Sequence, residues 1–224
     1  MIKNISNLGD AALYCDFGQE VNKETNTKVI KYFKSIQKEN IQGVNNLTPS
    51  YNKLIVSFDL KKTNFKSLKK KIEGLDTLNS NTLSGEKIEI PVCCDENFSL
   101  DIKRLEEKLK IDRENIYKNF FNKNFFCYMT GFIAGMPFLG DLDKTMRVKR
   151  LETPRVKVPK GSVGLTEQFA NIYTFESPGG WNIIGNTPKD IFDSSKEIGP
   201  NLINPGDTIT FIRITKDQYQ NYNE

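Results

Sequence analysis

The sequence of 224 residues contains no histidine. Without an imidazole, the chain cannot build a Ser-His or Cys-His catalytic pair from its own residues. Its four cysteines show no paired Cys-x-x-Cys spacing, which together with the missing histidine argues against a structural zinc site. We therefore expect no metal site in this chain. The adjacent Cys93 and Cys94 are expected to be small buried residues at the end of a strand.

Long apolar runs are also missing. No stretch approaches the roughly 20 residues that cross a membrane, and the N-terminus MIKNISNLGD lacks the apolar core of a signal peptide. With 38% hydrophobic and 27% charged residues, the chain has the composition of a soluble globular protein that can bury one large core or two small ones. The sequence therefore predicts a cytoplasmic protein with no membrane partner.

A strong net charge is absent as well. The 32 basic residues exceed the 28 acidic ones by only four, and the lysines are spread along the chain rather than clustered with aromatic residues. A surface that binds nucleic acid normally carries a denser basic patch. We expect no nucleic-acid partner.

Arginine is scarce, with six residues against 26 lysines. Three of the six, Arg147, Arg150 and Arg155, nevertheless fall within nine residues. A guanidinium group binds a carboxylate or phosphate through two parallel hydrogen bonds, which an ammonium group does poorly. The cluster indicates anion recognition, and a rim of surface ion pairs remains open as the alternative.

Residues 131–193 surround this cluster and contain eight of the fifteen glycines, five of the nine prolines and the single tryptophan. Glycine reaches backbone angles closed to other residues, and proline fixes φ near one value. A segment that alternates them specifies a shaped surface rather than a long helix or strand.

The first 97 residues alternate strand and helix patterns. The expected order is strand, helix, strand, strand, helix, strand, at residues 11–17, 23–38, 44–48, 51–59, 64–75 and 86–92. This order is typical of the split βαβ arrangement of ferredoxin-like domains. We expect a ferredoxin-like α+β domain over residues 1–97.

A helical connector is expected over residues 98–122, with Ser99 capping its first helix and a second helix beginning near Asp112. The aromatic run of Phe120, Phe121, Phe125, Phe126 and Tyr128 is interpreted as core residues, with a strand entering the core, rather than as a ligand site. Beyond Phe125 the chain shows short apolar runs separated by Gly and Pro, which predicts a β-barrel or sandwich, and Thr187 with Pro188 predicts one short helix.

Several strings carry a resemblance to a known family. GFIAGMPFLG, PRVKVPKGSVG and IYTFESPGGWNIIGNTP, together with LGDAALYCDFG and TPSYNKLIVSFD near the N-terminus, resemble the B subunit of 5-oxoprolinase. The same family is described as allophanate hydrolase subunit 1 and as sporulation-kinase inhibitors. The resemblance covers nearly the whole chain and implies a cyclophilin-like β-barrel for the C-terminal domain, residues 98–224.

The resemblance also implies an activity. In that family the protein works with a carboxyltransferase-like C subunit, of the allophanate hydrolase subunit 2 type, and with a lactam-opening A subunit. Together they use ATP to hydrolyse 5-oxoproline to glutamate, and whether ATP binds this chain or the rest of the complex stays open, as does a homo-oligomer. Arg150 and Arg155 would then bind anionic groups. The residues expected around the substrate are Ser177, Gly179, Gly180, Trp181, Gly135 and Gln168.

The chain departs from the family pattern at four places. GFIAGM at residues 131–136 replaces a GFxPGF pattern, and CDEN at residues 94–97 replaces a YGGE-type segment. A family histidine falls on Phe120, and a family glutamine falls on Phe169, with Gln168 displaced by one residue. A shift of one residue in a strand turns a side chain to the opposite face.

Two functions follow from these matches and departures. The first is a subunit, not catalytic alone, of an ATP-dependent amide- or lactam-hydrolysing complex. The second is a regulatory binding protein, of the type that inhibits a sensor histidine kinase, which has kept the scaffold and lost the chemistry. Prolyl isomerase activity by analogy of fold ranks below both, because a barrel shape does not transmit a site.

Overall fold

A computed structural model describes residues 1–76 and 85–222. The chain divides into two compact units, Met1–Ser84 and Gly85–Glu224. The division therefore comes before the boundary predicted after residue 97. The strand expected at residues 86–92 belongs to the second unit.

The first unit contains an antiparallel sheet of four strands in the order β1-β2-β4-β3. The strands are β1 Asn4–Asn7, β2 Ala12–Asp16, β3 Val44–Pro49 and β4 Lys53–Phe58, and the helices are α1 Lys23–Glu39 and α2 Phe65–Glu73. An asparagine caps the start of each helix. The backbone N–H of Thr25 donates to the Asn22 side chain, and the backbone N–H of Ser67 donates to the Asn64 side chain. These local signals explain why the predicted helices form.

The second unit is built on a closed barrel of seven strands in the order β10-β7-β6-β13-β5-β12-β9. These are β5 Lys87–Cys93, β6 Asn124–Thr130, β7 Pro137–Gly140, β9 Ser162–Thr166, β10 Phe169–Ile172, β12 Asn182–Asn186 and β13 Thr208–Ile214. The strands β8 Arg155–Val158 and β11 Ser177–Gly179 form a separate two-stranded ribbon. The helices are α3 Ile102–Leu109, α4 Arg113–Phe121 and α5 Lys216–Gln220.

The observed pairing of strand β5 differs from the predicted topology. The alternation of Ile88, Ile90 and Val92 does form a strand, but it pairs in parallel with β13 in the barrel and not with the N-terminal sheet. Period-two alternation shows that a strand is half-buried without showing which sheet buries it. The edge of the N-terminal sheet beside β2 is instead occupied by β1, which the sequence did not predict, so the ferredoxin-like arrangement is not confirmed. The cyclophilin-like identity of the barrel stays a prediction.

Two further local predictions are wrong. Ser99 does not cap α3, because its hydroxyl lies 2.9 Å from the Cys94 carbonyl and accepts from Tyr117 at 3.0 Å. No helix begins at Thr187; its hydroxyl accepts from the backbone N–H of Lys189 at 3.2 Å in a turn, and Phe192 bridges to Asn201. In both cases the hydroxyl forms a hydrogen bond with a nearby backbone group that is not at a helix N-terminus.

Side chains alternate between the two faces of the barrel wall. All seven strands contribute to one large buried cluster, which is the barrel interior, and the predicted core role of Phe120 and Phe125 is confirmed because both are buried there. On β7 and β10 the inward residues are Leu139 and Ala170. Their neighbours Phe138 and Asn171 therefore point to the outer face. Within the described ranges, no helix is long and apolar enough to cross a membrane.

Candidate functional site

A cavity of about 390 Å³ lies on the outer face of the barrel, beside the β8–β11 ribbon. We call it the outer-face pocket. Its lining combines apolar rings, a glycine pair and three polar side chains. The residues are Phe132, Met136, Phe138, Arg150, Pro154, Asn171, Tyr173, Pro178, Gly179, Gly180 and Trp181.

Two residues at and just after β10 contribute buried polar groups to the pocket. Asn171 has no exposed surface, and Tyr173 is 1% exposed. Across from Asn171 the register of β9 places Gly164, where an added Cβ would lie 2.8 Å from Asn171 Oδ1 and 3.0 Å from Trp181 Cβ. A side chain at residue 164 would therefore press on the amide and on the indole.

Aromatic and sulfur-containing side chains form the apolar part of the wall. The rings of Phe138 and Trp181 meet edge to face, with centroids 5.6 Å apart. Met136 is buried, and its sulfur accepts a 3.5 Å contact from Asn171 Nδ2. Such a wall suits a flat, partly apolar ligand.

The glycine pair of the SPGGW segment brings backbone close to the pocket. An added Cβ at Gly179 would lie 2.1 Å from the Tyr173 hydroxyl oxygen, so only glycine fits there. Burial raises the pKa of Tyr173, while hydrogen bonds from the Asn171 side chain and the Trp181 backbone N–H act in the opposite direction. Tyr173 is therefore a neutral phenol at physiological pH.

Arg150 lies exposed at the rim with its guanidinium against Gly180, where an added Cβ would lie 3.1 Å from both Nε and Nη2. In the part of the chain that the structure describes, no carboxylate pairs with it. Each of the other five arginines has a partner, as the ion pairs and hydrogen bonds of Arg104, Arg113, Arg147, Arg155 and Arg213 show. Arg150 is thus the arginine available to an anionic ligand.

Arg155 is placed differently from Arg150. Its Nη2 lies 2.6 Å from Asp101 Oδ1, and Asp101 Oδ2 accepts the backbone N–H of Ile183 at 2.7 Å. The Asp101 side chain is only 5% exposed. Arg155 does not line the outer-face pocket; it ties β8 of the ribbon to the start of α3 and to β12.

Three other predicted site residues lie outside the lining. Gly135, at φ +70°, faces the ring of Phe192, and the Ser177 hydroxyl is buried on β11 with no described hydrogen-bond partner. Gln168 donates to Asp141 Oδ1 at 3.2 Å. Of the eight residues predicted for the site, the pocket brings together Arg150, Gly179, Gly180 and Trp181.

The two phenylalanines that stand at polar family positions are also away from the pocket lining. Phe120 is buried in the barrel core, stacked on Phe211 with centroids 4.9 Å apart. Phe169 packs edge to face on Tyr128, whose hydroxyl donates to Asp141 at 2.7 Å. Burial, followed by this bond, raises the pKa of Tyr128.

Sequence reasoning missed Asn171 and Tyr173, the two buried polar residues of the pocket. Both sit in the run FANIYT, where period-two alternation puts them on one face and Ala170 and Ile172 on the other. This alternation is the sequence signal that could have identified both residues. The lining as a whole contains no carboxylate, cysteine or lysine, so it can bind and orient a ligand but offers no group suited to nucleophilic attack or to proton transfer near neutral pH.

Among the described residues, no group of three or more His, Cys, Asp or Glu side chains is arranged to hold a metal ion. Cys93 is buried at the end of β5, as expected, and Cys94 is half-buried. Burial raises the pKa of the Cys94 thiol to about 12. Neither cysteine is placed in the outer-face pocket.

Comparison with known proteins agrees with this architecture. A family model described as carboxyltransferase domain, subdomain C and D, matches residues 3–202. The 5-oxoprolinase B subunit of Bacillus subtilis is 30% identical over 98% of this chain and 96% of that protein. Urea amidolyase of Saccharomyces cerevisiae is 21% identical over 96% of this chain, which spans only 13% of that enzyme.

A solved structure has the same fold. The crystal structure of TTHA0988 superposes with a TM-score of 0.82 at 26% identity, covering 91% of this chain and 40% of that chain. The present chain therefore spans less than half of that polypeptide. The match to the family model and the near full-length identity to the Bacillus protein show that this chain belongs to the carboxyltransferase domain C and D family, with 5-oxoprolinase B subunits among its relatives.

Proposed function

We propose that this chain is the substrate-binding subunit of an ATP-dependent complex that hydrolyses a small lactam or amide, of the 5-oxoprolinase type. The observation that carries the proposal is Arg150, an arginine with no carboxylate partner among the described residues, at the rim of a pocket walled by aromatic rings. Relatives named as the B subunit of 5-oxoprolinase support it. The pocket would hold the carboxylate of 5-oxoproline at Arg150 and its ring against Trp181.

The chemistry assigned to the complex is transfer of the γ-phosphoryl group of ATP to the lactam oxygen, with ADP as the leaving group. One water then adds to the activated carbon and the C–N bond breaks, and a second water releases phosphate and leaves glutamate. A lactam carbonyl is a poor electrophile, and transfer of a phosphoryl group to its oxygen creates a better leaving group together with new negative charge. Because Arg150 is assigned to the carboxylate of the lactam, groups of the other subunits must bind this new charge. Tyr173, a buried neutral phenol, helps to shape the pocket rather than to transfer a proton.

ATP is assigned to the complex rather than to this pocket. A nucleoside triphosphate carries several negative charges, and the lining holds a single cationic side chain, Arg150. The use of ATP makes the cytoplasm the expected compartment. In the proposed division of labour, this chain binds and orients the lactam, and other subunits supply ATP and the reacting groups.

The partners we propose are a carboxyltransferase-like subunit and a lactam-opening subunit. The lack of any acid, base or nucleophile in the pocket lining requires such groups to come from elsewhere. That this chain matches only part of TTHA0988 and of urea amidolyase supports a unit that works within a larger assembly.

The same lack favours the second candidate, a regulatory binding protein. A pocket that binds a small anionic ligand without reacting with it would suit a sensor protein whose partner is a histidine kinase. The two candidates differ in what the chain assembles with and in whether a product forms. Recovery of a histidine kinase, and of no metabolic subunit, in a pull-down would favour regulation.

The test is to co-express this chain with carboxyltransferase-like and lactam-opening subunits and to measure glutamate formed from 5-oxoproline by the purified complex. We expect glutamate to form only when both ATP and this chain are present. A correctly assembled complex that forms no glutamate contradicts the proposed activity. Omitting each component in turn provides the control.

A further inference from the structure

One buried polar atom in the outer-face pocket has no partner among the described residues. Asn171 Oδ1 is fully buried and accepts no hydrogen bond, whereas Asn171 Nδ2 contacts the Met136 sulfur and the Asn171 side chain bonds to Tyr173. Leaving a buried carbonyl oxygen unpaired is costly, and native proteins rarely do so. A ligand that donates an N–H to this oxygen would satisfy it.

We propose that Asn171 is a specificity-determining residue that recognises the N–H of the bound amide or lactam. The inference rests on the proposed function for the identity of the ligand, and it adds the chemical group of the ligand that the pocket selects. The ligand class is a small lactam or amide that carries a free N–H and a carboxylate. Lactones, esters and N-alkylated lactams of the same shape are rejected.

The two polar anchors lie at different depths of one cavity. Arg150 is exposed at the rim, whereas Asn171 is fully buried. The Asn171 oxygen is covered and lies beside Gly164 and Trp181, so a ligand held by its carboxylate at Arg150 reaches it only when the covering side chains shift. Trp181 and Phe138 provide the apolar wall along which a flat five-membered ring can lie.

Discrimination follows from the chemistry of the acceptor. A lactone presents a ring oxygen where a lactam presents N–H, so the Asn171 oxygen would face another acceptor and remain unpaired. Sites built to bond a donor reject the analogue that lacks it, because their own polar group is then buried without a partner. We expect the lactone to bind at least about tenfold more weakly, since one lost hydrogen bond of this kind corresponds to about that factor.

The matched pair of variants is Asn171→Leu and Asn182→Leu. Both asparagines are fully buried, but Asn182 is satisfied by Arg104 and by the carbonyls of Lys149 and Leu165. Leucine at residue 171 removes the unpaired oxygen together with the Nδ2 contact to Met136 and the bond to Tyr173, so the thermal midpoint should fall by no more than a few degrees. Leucine at residue 182 breaks three bonds, so the midpoint should fall clearly.

The experiment is calorimetric titration of the full chain with 5-oxoproline and with its lactone analogue, 5-oxotetrahydrofuran-2-carboxylate. We expect the wild type to prefer the lactam by about tenfold or more and Asn171→Leu to lose that preference while remaining folded. Equal binding of the two ligands by the wild type overturns the inference, as does a failure to bind the lactam. An Asn171→Leu variant that unfolds as readily as Asn182→Leu also overturns it, because Asn171 would then be structural.

The experiments can refute this inference and the proposed function independently of each other. A complex that forms glutamate, together with a chain that binds lactam and lactone equally, removes the role of Asn171 and leaves the activity. A complex that forms no glutamate, together with a chain that still prefers the lactam through Asn171, removes the activity and leaves the recognition site.

Discussion

Removing the guanidinium of Arg155 should destabilise the second unit of the chain rather than weaken ligand binding. In the folded chain, Asp101 receives two hydrogen bonds, one from Arg155 at 2.6 Å and one from the Ile183 backbone at 2.7 Å. The Arg155→Ala variant leaves a carboxylate that is 5% exposed with only the backbone donor. A buried charge that loses its partner pays its desolvation cost without compensation.

The size of the destabilisation depends on how deeply the Arg155–Asp101 ion pair is buried. A hydrogen bond to a charged group contributes about 1.5–3 kcal/mol, and breaking a fully buried ion pair costs about 3–5 kcal/mol. Because the Arg155 side chain is 28% exposed, water reaches part of the pair, and we expect a loss of about 2–3 kcal/mol in the free energy of unfolding. For a chain of this size that corresponds to a fall of about 4 to 12 °C in Tm.

The assay is thermal and urea unfolding of the wild type, of Arg155→Ala and of the control Arg147→Ala. Among the described residues, the exposed side chain of Arg147 donates one hydrogen bond, to the Leu142 carbonyl at 3.1 Å, so its loss should cost less than about 1 kcal/mol. The reasoning is refuted if Arg155→Ala is as stable as the control and instead loses affinity for 5-oxoproline. Arg155 would then be the anion-binding residue that the sequence predicted.

Three further predictions concern packing, pH and thiol reactivity. Gly179→Ala should lower the free energy of unfolding by about 1–3 kcal/mol because the new methyl would meet the Tyr173 hydroxyl; unchanged urea unfolding would contradict this. The bond from Lys53 lowers the pKa of Asp16 below 3.8, so the pair stabilises the fold above that pH and ceases to do so as the pH falls through the folded-state pKa. Asp16→Asn should therefore lower the free energy of unfolding by about 1 kcal/mol at neutral pH, and this difference from wild type should vanish in acid. A difference that persists in acid would refute the assignment. Burial raises the pKa of Cys15 to about 12, so iodoacetamide should label it only after unfolding, and rapid labelling of the native chain would contradict its burial.

Local pattern predicted most elements of the first 93 residues because their signals are local. Alternation placed β2 and β4, and helical spacing placed α1 and α2, within two residues of their observed ends. The partner of β5 could not be predicted in the same way. Its pairing with β13 joins residues more than a hundred positions apart, and nothing in the alternation of β5 specifies that partner.

The candidate site shows the same limit. Gly179, Gly180 and Trp181 are adjacent in sequence, so their joint position in one wall followed from a single turn. Arg150 and Arg155 looked alike in sequence, and what separates them is Asp101, 54 residues earlier, which engages only the second. Asn171 was missed because an asparagine within an apolar strand carries no local sign of whether its amide will be satisfied.

The central claim is that the outer-face pocket binds an anionic ligand through Arg150. The most direct measurement is the KM for 5-oxoproline of the assembled complex carrying Arg150→Ala, beside the same complex carrying Arg147→Ala. We predict a rise of about tenfold to a hundredfold for Arg150→Ala, the equivalent of one charged hydrogen bond, and a value near wild type for Arg147→Ala. An unchanged KM in the Arg150→Ala complex would contradict the account.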